Sequence, residues 1–147
     1  MRLTLALVAA LLVGSAGLRP AAAQSAADSA AIVATARDYI DGWWTGDAAR
    51  MARAVHSHLA KRMVYADSGG HSRLSDMTAM ELVQNVEHGG GRNTPEAQRR
   101  NEVRILAVYR NAAVARVDAG PWVDFLELAR WNGEWKIVNV LWELAPR

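Results

Sequence analysis

The sequence contains no cysteine, which excludes disulfide bonds, thiolate nucleophiles and thiolate metal ligands. It has only four prolines and one phenylalanine, and beyond residue 23 no apolar run approaches the roughly 20 residues that cross a bilayer. Without cross-links the fold must be stabilised by its hydrophobic core. A content of 51% apolar residues is enough to build one in a chain of this length.

The first 23 residues have the pattern of a secretory signal peptide. Arg2 provides the positive start, residues 3–13 are apolar, and Ala21, Ala22 and Ala23 are the small residues that precede a cleavage site. The apolar run is shorter than a membrane span, which favours a cleaved signal over a retained anchor. We therefore predict a domain over residues 24–147 that is exported, either to a periplasm or as a secreted protein.

The net charge changes if the signal is removed. The chain has 17 basic and 15 acidic residues, and Arg2 and Arg19 leave with residues 1–23, so 15 of each sign remain. A domain with balanced charge lacks the basic surface that nucleic acids require. We predict no nucleic-acid partner, and no membrane association after cleavage.

Helical patterns come first in the chain. Asp28 is placed to cap a helix whose apolar stripe includes Ile32 and Ile40, with residues 25–27 as a lead-in. Gly46 ends this helix, and Asp47 starts a second one that extends to about Leu59. The spacing of Thr78 and Glu81 predicts a capping box at the start of a third helix, which residues 89–91, all glycine, terminate.

Strand patterns follow. Residues 62–66 and 72–74 predict a small hairpin, and from Asn101 the apolar residues alternate with a period of two as far as Leu144. Asn132 and Gly133 both tolerate positive φ, which predicts a tight hairpin between the last two strands. Helices followed by an antiparallel meander indicate one α+β domain.

At this point the chain resembles a known superfamily. The carrying stretches are residues 39–42 (YIDG), 55–60 (VHSHLA), 74–77 (LSDM) and 122–139 (WVDFLELARWNGEWKIVN). They are similar to the nuclear transport factor 2-like superfamily, and within it to the putative lumazine-binding branch. The resemblance extends over the whole domain.

The resemblance implies a cone-shaped, curved antiparallel sheet packed against about three N-terminal helices, with a cavity at its open end. Isomerases, dehydratases, cyclases and non-catalytic modules share this architecture, so the fold alone does not assign an activity. The resemblance also implies a homodimer formed through the outer face of the sheet.

One predicted strand carries an acidic residue among apolar ones. Trp122, Asp124, Leu126 and Leu128 share one face, and either face of this strand is a candidate for the cavity side. If the Asp124 face lines the cavity, burial favours a role for this carboxylate as a general base. The alternative is a structural ion pair, in which Arg116 binds Asp124 or Glu127.

Aromatic residues are the other candidates for a ligand site. Tyr39 and Trp43 are four residues apart and share a helix face, so they either line a pocket or pack in the core. We predict Tyr65, Trp122 and Trp142 as further pocket residues. Six tryptophans suit either a cavity for a flat hydrophobic ligand or an aromatic dimer face.

Histidine and asparagine complete the candidate site. His56 and His58 are two residues apart where the second helix is predicted to end, and such a pair shares a face only on a strand. A dedicated metal site takes three or four ligands, and we predict no metal and no cofactor. His56 is either a polar group in the pocket or a surface residue. Asn139 has the parity of Trp135 and Ile137, which places a lone amide on an apolar face, where it needs a partner.

Two functions remain open from the sequence. The first is an exported small-molecule-binding or assembly protein with an aromatic-lined cavity. The second is an enzyme of the isomerase, dehydratase or cyclase type, with His56 or Asp124 as the base and Tyr39 as a hydrogen-bond donor.

Overall fold

A single six-stranded sheet organises the molecule. The computed structural model describes residues 21–146, with side chains from residue 25 onward. Within this part of the chain the elements are α1 (Ala21–Thr45), α2 (Ala48–Ala54), β1 (Val55–Ala66), β2 (Ser72–Thr78), α3 (Ala79–Glu87), a 3-10 helix (Glu96–Gln98), β3 (Glu102–Tyr109), β4 (Ala112–Asp118), β5 (Trp122–Trp131) and β6 (Glu134–Leu144). Residues 1–20 of the predicted signal peptide lie outside the described residues. No helix among residues 21–146 is both long and apolar enough to cross a membrane.

The sheet joins the hairpin and the meander that the sequence suggested separately. Its strand order is β2-β1-β6-β5-β4-β3. Every neighbouring pair is antiparallel except β1 and β6, which run parallel with Arg62 opposite Leu141. Register shifts in β1, β3 and β6 interrupt the ladders, and such bulges bend strands and curve a sheet. The α+β prediction is confirmed, with three helices and a curved sheet.

Helix α1 is longer than the sequence pattern predicted. It continues through Asp28, so Asp28 does not cap it and residues 25–27 are helical rather than a lead-in. The stretch before Asp28 is rich in alanine, the strongest helix former. The Asp28 carboxylate instead forms an ion pair with Arg130 on β5.

Strand β1 replaces the end that was predicted for α2. The second helix ends at Ala54, and β1 starts at Val55, seven residues earlier than expected. Val55 lies opposite Ile137 in the parallel pairing of β1 with β6, which provides the hydrogen-bond partners of this strand. The local sequence does not indicate a pairing with such a distant segment. His56 and His58 therefore lie on a strand.

Two other local predictions, the cap of α3 and the turn between β5 and β6, are confirmed. Thr78 caps α3: its hydroxyl accepts a hydrogen bond from the Glu81 backbone N–H, and the Glu81 carboxylate accepts one from the Thr78 backbone N–H. Asn132 and Gly133 have φ angles of 50° and 87° in the turn between β5 and β6. These interactions involve neighbours in sequence, so their residues identify them.

The helices cover one face of the sheet. Helix α1 packs on β3, β4 and β6, and α3 packs on β1 and β2. On β5 the side chains of Asp124, Leu126 and Leu128 are buried beneath the helices, whereas Phe125 and Glu127 are exposed on the other face. The face that carries Asp124 is therefore the inner one.

Candidate functional site

A mostly apolar cavity lies between the helices and the inner face of the sheet. Its volume is about 290 Å³. Every α-helix and four of the six strands contribute to its lining, which consists of Tyr39, Ile40, Trp43, Met51, Lys61, Met77, Leu82, Trp122, Trp142 and Leu144. Leu144 is largely exposed, so it lies where the cavity meets the solvent.

Tryptophan side chains form much of the cavity wall. The rings of Trp43 and Trp122 meet edge to face, with 6.2 Å between their centroids. The loop after α3 supports this wall, because the backbone N–H of Gly91 donates to the carbonyl of Trp43. A Cβ atom at Gly91 would lie 2.5 Å from the Trp43 ring, so only glycine fits there without a shift.

A buried polar cluster lies against this apolar lining. Lys61 Nζ donates to Asp124 Oδ1 at 2.6 Å and to the Tyr39 hydroxyl at 2.7 Å. The Tyr39 hydroxyl donates to the same Asp124 oxygen at 3.3 Å, and Trp122 Nε1 donates to Asp124 Oδ2 at 2.8 Å. We call these four residues the Lys61 cluster.

The strand pattern explains why charged side chains are inside. Asp124 pairs with Val117 and Trp142 on the neighbouring strands, and Lys61 pairs with Val140, so both project from inward positions. Asp124 is 0% exposed and Lys61 is 8% exposed. Charges are rarely buried without a partner, and here each charge neutralises the other.

Burial controls the protonation of this cluster. The pKa of Tyr39 is raised well above its ordinary value, first by burial and then by the adjacent Asp124 carboxylate, so the phenol stays neutral. Burial also lowers the pKa of Lys61, because a charged amine is poorly solvated there, and the Asp124 carboxylate opposes this effect. Lys61 Nζ also lies over the ring of Trp142, 4.9 Å from its centroid, and this cation–π contact favours the ammonium form.

The Asp124 carboxylate is largely occupied. An ionised carboxylate offers about four acceptor positions, and three protein donors already use its two oxygens. Arg116 is not one of them, because it pairs with Asp118 at 3.7 Å. The predicted pairing of Arg116 with Asp124 or Glu127 is therefore wrong, and Glu127 instead accepts from Asn139.

The structure brings together five of the eight sequence candidates. Tyr39, Trp43, Trp122 and Trp142 line the cavity, and Asp124 lies directly behind its wall as the centre of the Lys61 cluster. Their roles in ligand binding are a prediction.

The other three candidates lie elsewhere. Asn139 is exposed on the outer face, because a bulge in β6 between the Leu128–Ile137 and Glu127–Asn139 pairs reverses the parity expected from the sequence. Tyr65 is 46% exposed near the end of β1 and does not line the cavity. His56 does not line it either, since its ring packs against Trp131, with the centroids 4.8 Å apart.

The histidine pair has a structural explanation. The backbone N–H of His58 donates to His56 Nδ1 at 3.1 Å, which occupies that ring nitrogen. Within residues 21–146 there is no group of three or more histidine and acidic side chains arranged to hold a metal ion.

Lys61 is the functional candidate that the sequence analysis missed. It is one of only two lysines in the chain, and it shares the parity of Leu59 and Met63. Starting the predicted strand at Arg62 left Lys61 out of this pattern. A strand extended back to Leu59 would have placed a lysine among inward-facing positions.

Comparisons with known proteins identify the fold and the family. The profile of the family described as "Putative lumazine-binding" matches residues 27–143. A search of curated proteins found no match to the sequence.

Several solved structures are similar. A nuclear transport factor 2-like protein of unknown function from Shewanella baltica OS155 is 20% identical, with 83% of this chain and 97% of that chain covered and a TM-score of 0.62. A second such protein, from Silicibacter pomeroyi DSS-3, is 19% identical, with 82% and 98% covered and a TM-score of 0.62. A type 2 hexachlorocyclohexane dehydrochlorinase is 12% identical, with 86% and 90% covered and a TM-score of 0.54. At these identities the likeness shows a shared fold.

The family match spans most of the chain, and the structural neighbours have the same architecture. The protein therefore belongs to the "Putative lumazine-binding" family of the nuclear transport factor 2-like superfamily.

Proposed function

We propose that this protein binds a small, predominantly apolar molecule in the cavity above the Lys61 cluster. The observation that carries the proposal is the combination of a cavity of about 290 Å³, an aromatic and aliphatic lining, and one internally bonded polar cluster. Small-molecule sites in proteins have this composition, with few polar groups that orient the ligand.

The apolar lining also supports this proposal. The cavity meets the solvent near Leu144, so a ligand can enter it. An apolar ligand that does so removes its own surface and that of the lining from water, which is favourable by about 25 cal/mol per Å² of apolar surface.

A fluorescence titration tests the proposal. N-phenyl-1-naphthylamine, a neutral probe that brightens in apolar surroundings, is expected to bind saturably to the full chain. Leu82→Phe places extra volume in the cavity and is expected to weaken binding at least about tenfold. Leu141→Phe makes the same change on the exposed outer face and serves as the control. Equal binding by both variants would contradict the proposal.

A second candidate function is proton transfer at carbon. It is favoured by the Tyr39 hydroxyl and the Asp124 carboxylate, which meet at 3.3 Å beside the cavity, and by the dehydrochlorinase that shares this fold. The three donors on Asp124 argue against it, because they leave only about one acceptor position of the carboxylate for a substrate proton. Deuterium exchange into the α-position of a bound ketone, abolished by Asp124→Asn, would establish it.

A homodimer formed through the outer face remains part of the proposal. Leu74 pairs with Val64, and Leu141 pairs with Phe125, so two exposed apolar pairs lie on the outer face. They are offset along the strands, because Arg62 is the residue of β1 that lies opposite Leu141. Light scattering is expected to give twice the monomer mass, and Leu141→Glu is expected to halve it. A monomeric parent protein would contradict this part.

Export is also proposed. The predicted cleavage after Ala23 falls in the first turn of α1. Intact-mass measurement of protein recovered from an exporting host is expected to show a chain that begins at Gln24. A chain that retains residues 1–23 would overturn the cleavage.

A further inference from the structure

The charge balance of the cavity indicates which ligands it accepts. Among the described residues that line it, Lys61 is the one charged residue, and its partner Asp124 is completely buried behind it. The ammonium and the carboxylate are 2.6 Å apart, so the site carries no net charge. A charged ligand would enter without a counter-charge, and an uncompensated ion in an apolar site is strongly disfavoured.

The donors of the Lys61 cluster indicate which polar group a ligand needs. An ammonium has three N–H donors, and the described residues provide Lys61 Nζ with two acceptors, the Tyr39 hydroxyl and Asp124 Oδ1. The Tyr39 hydroxyl donates to Asp124 and Trp122 Nε1 does the same. One N–H of Lys61 therefore remains for a ligand acceptor, whereas three protein donors already use most of the acceptor positions of the Asp124 carboxylate.

The size and walls of the cavity indicate the ligand framework. A cavity of about 150 Å³ holds benzene in another protein, and this one is about twice as large. The aromatic rings of Trp43, Trp122 and Trp142 are part of the lining, and aromatic walls favour a flat ring system. Two fused rings match both the volume and the walls.

We infer that the cavity selects uncharged, flat ligands of about two fused rings that carry one carbonyl-type acceptor for Lys61. This inference rests on the proposed binding function and adds a ligand class to it. The neutral Lys61–Asp124 pair sets the charge selectivity, and the spare ammonium N–H sets the preference for a carbonyl oxygen.

Three ligands with the same ring system test the inference. 2-Acetylnaphthalene carries a neutral carbonyl, 2-naphthoate carries a carboxylate, and 2-ethylnaphthalene carries no acceptor. Displacement of N-phenyl-1-naphthylamine from the full chain at neutral pH gives their affinities. We expect the ketone to bind at least about 100-fold more tightly than the carboxylate. We expect it to bind at least about threefold more tightly than the hydrocarbon.

Asp124→Asn tests the origin of the selectivity. This variant leaves the Lys61 ammonium without its counter-charge, so the affinity for 2-naphthoate is expected to rise at least about tenfold. Asp76→Asn removes an exposed carboxylate and is the matched control, with no change in selectivity. If the Asp124 variant does not fold, the comparison of the three ligands on the parent protein still decides the inference.

The outcomes separate this inference from the proposed function. Equal affinity for the ketone and the carboxylate, with the probe displaced by both, overturns the inference and leaves the binding function intact. No displacement by any of the three ligands, together with no saturable binding of the probe, overturns both. Unchanged selectivity in a folded Asp124→Asn protein overturns the role of the charge pair.

Discussion

At the scale of single residues, the Lys61–Asp124 pair places two opposite charges in the interior. Burying two charges costs several kcal/mol per ion, and their attraction repays this only when the geometry is good and the remaining donors and acceptors are satisfied. Here Lys61 Nζ and Asp124 Oδ1 are 2.6 Å apart, and Tyr39 and Trp122 donate hydrogen bonds to the carboxylate. Removing one member leaves the other charge buried and unpaired.

Lys61→Met is therefore expected to lower the free energy of unfolding by about 3–5 kcal/mol. Adding Asp124→Asn is expected to recover part of this loss, because the double variant has no buried charge. Lys136→Met is the control, since Lys136 is the other lysine and its partner Glu134 is exposed, so it should cost about 1 kcal/mol or less. Urea unfolding measures these variants and the single variant Asp124→Asn, which completes the double-mutant cycle. Additive effects of Lys61→Met and Asp124→Asn would contradict the coupling.

Tyr39 makes stability depend on pH at the alkaline end. Its pKa is raised in the folded protein, so above its ordinary value of 10.0 the unfolded chain loses this proton while the folded protein keeps it. The stabilisation is complete below pH 10 and declines above it, by at most about 1.4 kcal/mol per pH unit. Lys61 has the opposite effect below pH 10.5. Burial lowers its pKa, so as the pH rises the folded protein releases this proton before the unfolded chain does, and the stability rises with pH in that range.

Tyr39→Phe isolates the tyrosine contribution. The difference in unfolding free energy between the parent and the variant is expected to be constant from pH 7 to 9 and to shrink above pH 10. Urea unfolding at closely spaced pH values measures this difference. A difference that grows above pH 10 would show that the sign is wrong.

Residue patterns predicted part of this site. Strand alternation placed Trp122, Asp124 and Leu128 on one face, and the structure agrees. The same alternation failed for Asn139, because one extra residue in β6 shifts its parity. A bulge depends on pairing with another strand, and no signal in the local sequence reports it.

At the scale of elements, the cavity depends on how α3 and the loop after it support α1. The Gly91 backbone bonds to the Trp43 carbonyl and lies against the Trp43 and Trp44 rings. A side chain at this position has to displace one of these rings. The loop therefore positions an aromatic wall of the cavity through close backbone contact.

Gly91→Ala is expected to destabilise the protein by about 1–3 kcal/mol and to weaken binding of N-phenyl-1-naphthylamine, because the new methyl group pushes Trp43. Gly133→Ala is the matched control. Its positive φ of 87° makes alanine strained, but open space surrounds it and it lies in the turn between β5 and β6. It should lower stability without changing affinity. Unchanged binding in Gly91→Ala would contradict the support by this loop.

Elements with local signals were predictable and those with distant partners were not. The Thr78–Glu81 capping box and the Asn132–Gly133 turn are set by residues a few positions apart. Strand β1 depends on β6, about 80 residues away, and its first half was therefore taken for helix. Lys61 lies between the predicted end of that helix, at about Leu59, and the predicted start of the strand at Arg62, so the strand pattern did not include it in the site.

At the scale of the whole molecule, the two faces of the sheet differ in composition. The inner face carries the cavity and the Lys61 cluster, and the outer face carries the exposed apolar pairs Leu74–Val64 and Leu141–Phe125. The proposed ligand site and the proposed dimer interface therefore lie on separate surfaces. Changes to the outer apolar pairs should alter the molecular mass in solution and leave ligand affinity unchanged.

Methionine methyl NMR locates the ligand most directly. Met51 and Met77 line the cavity, whereas Met63 does not and Met80 is 70% exposed on α3. In protein with ¹³C-labelled methionine methyl groups, titration with 2-acetylnaphthalene is predicted to shift the Met51 and Met77 signals saturably and to leave Met63 and Met80 in place. Saturable shifts confined to Met63 or Met80, or no shift at Met51 and Met77, would contradict a ligand site in the cavity.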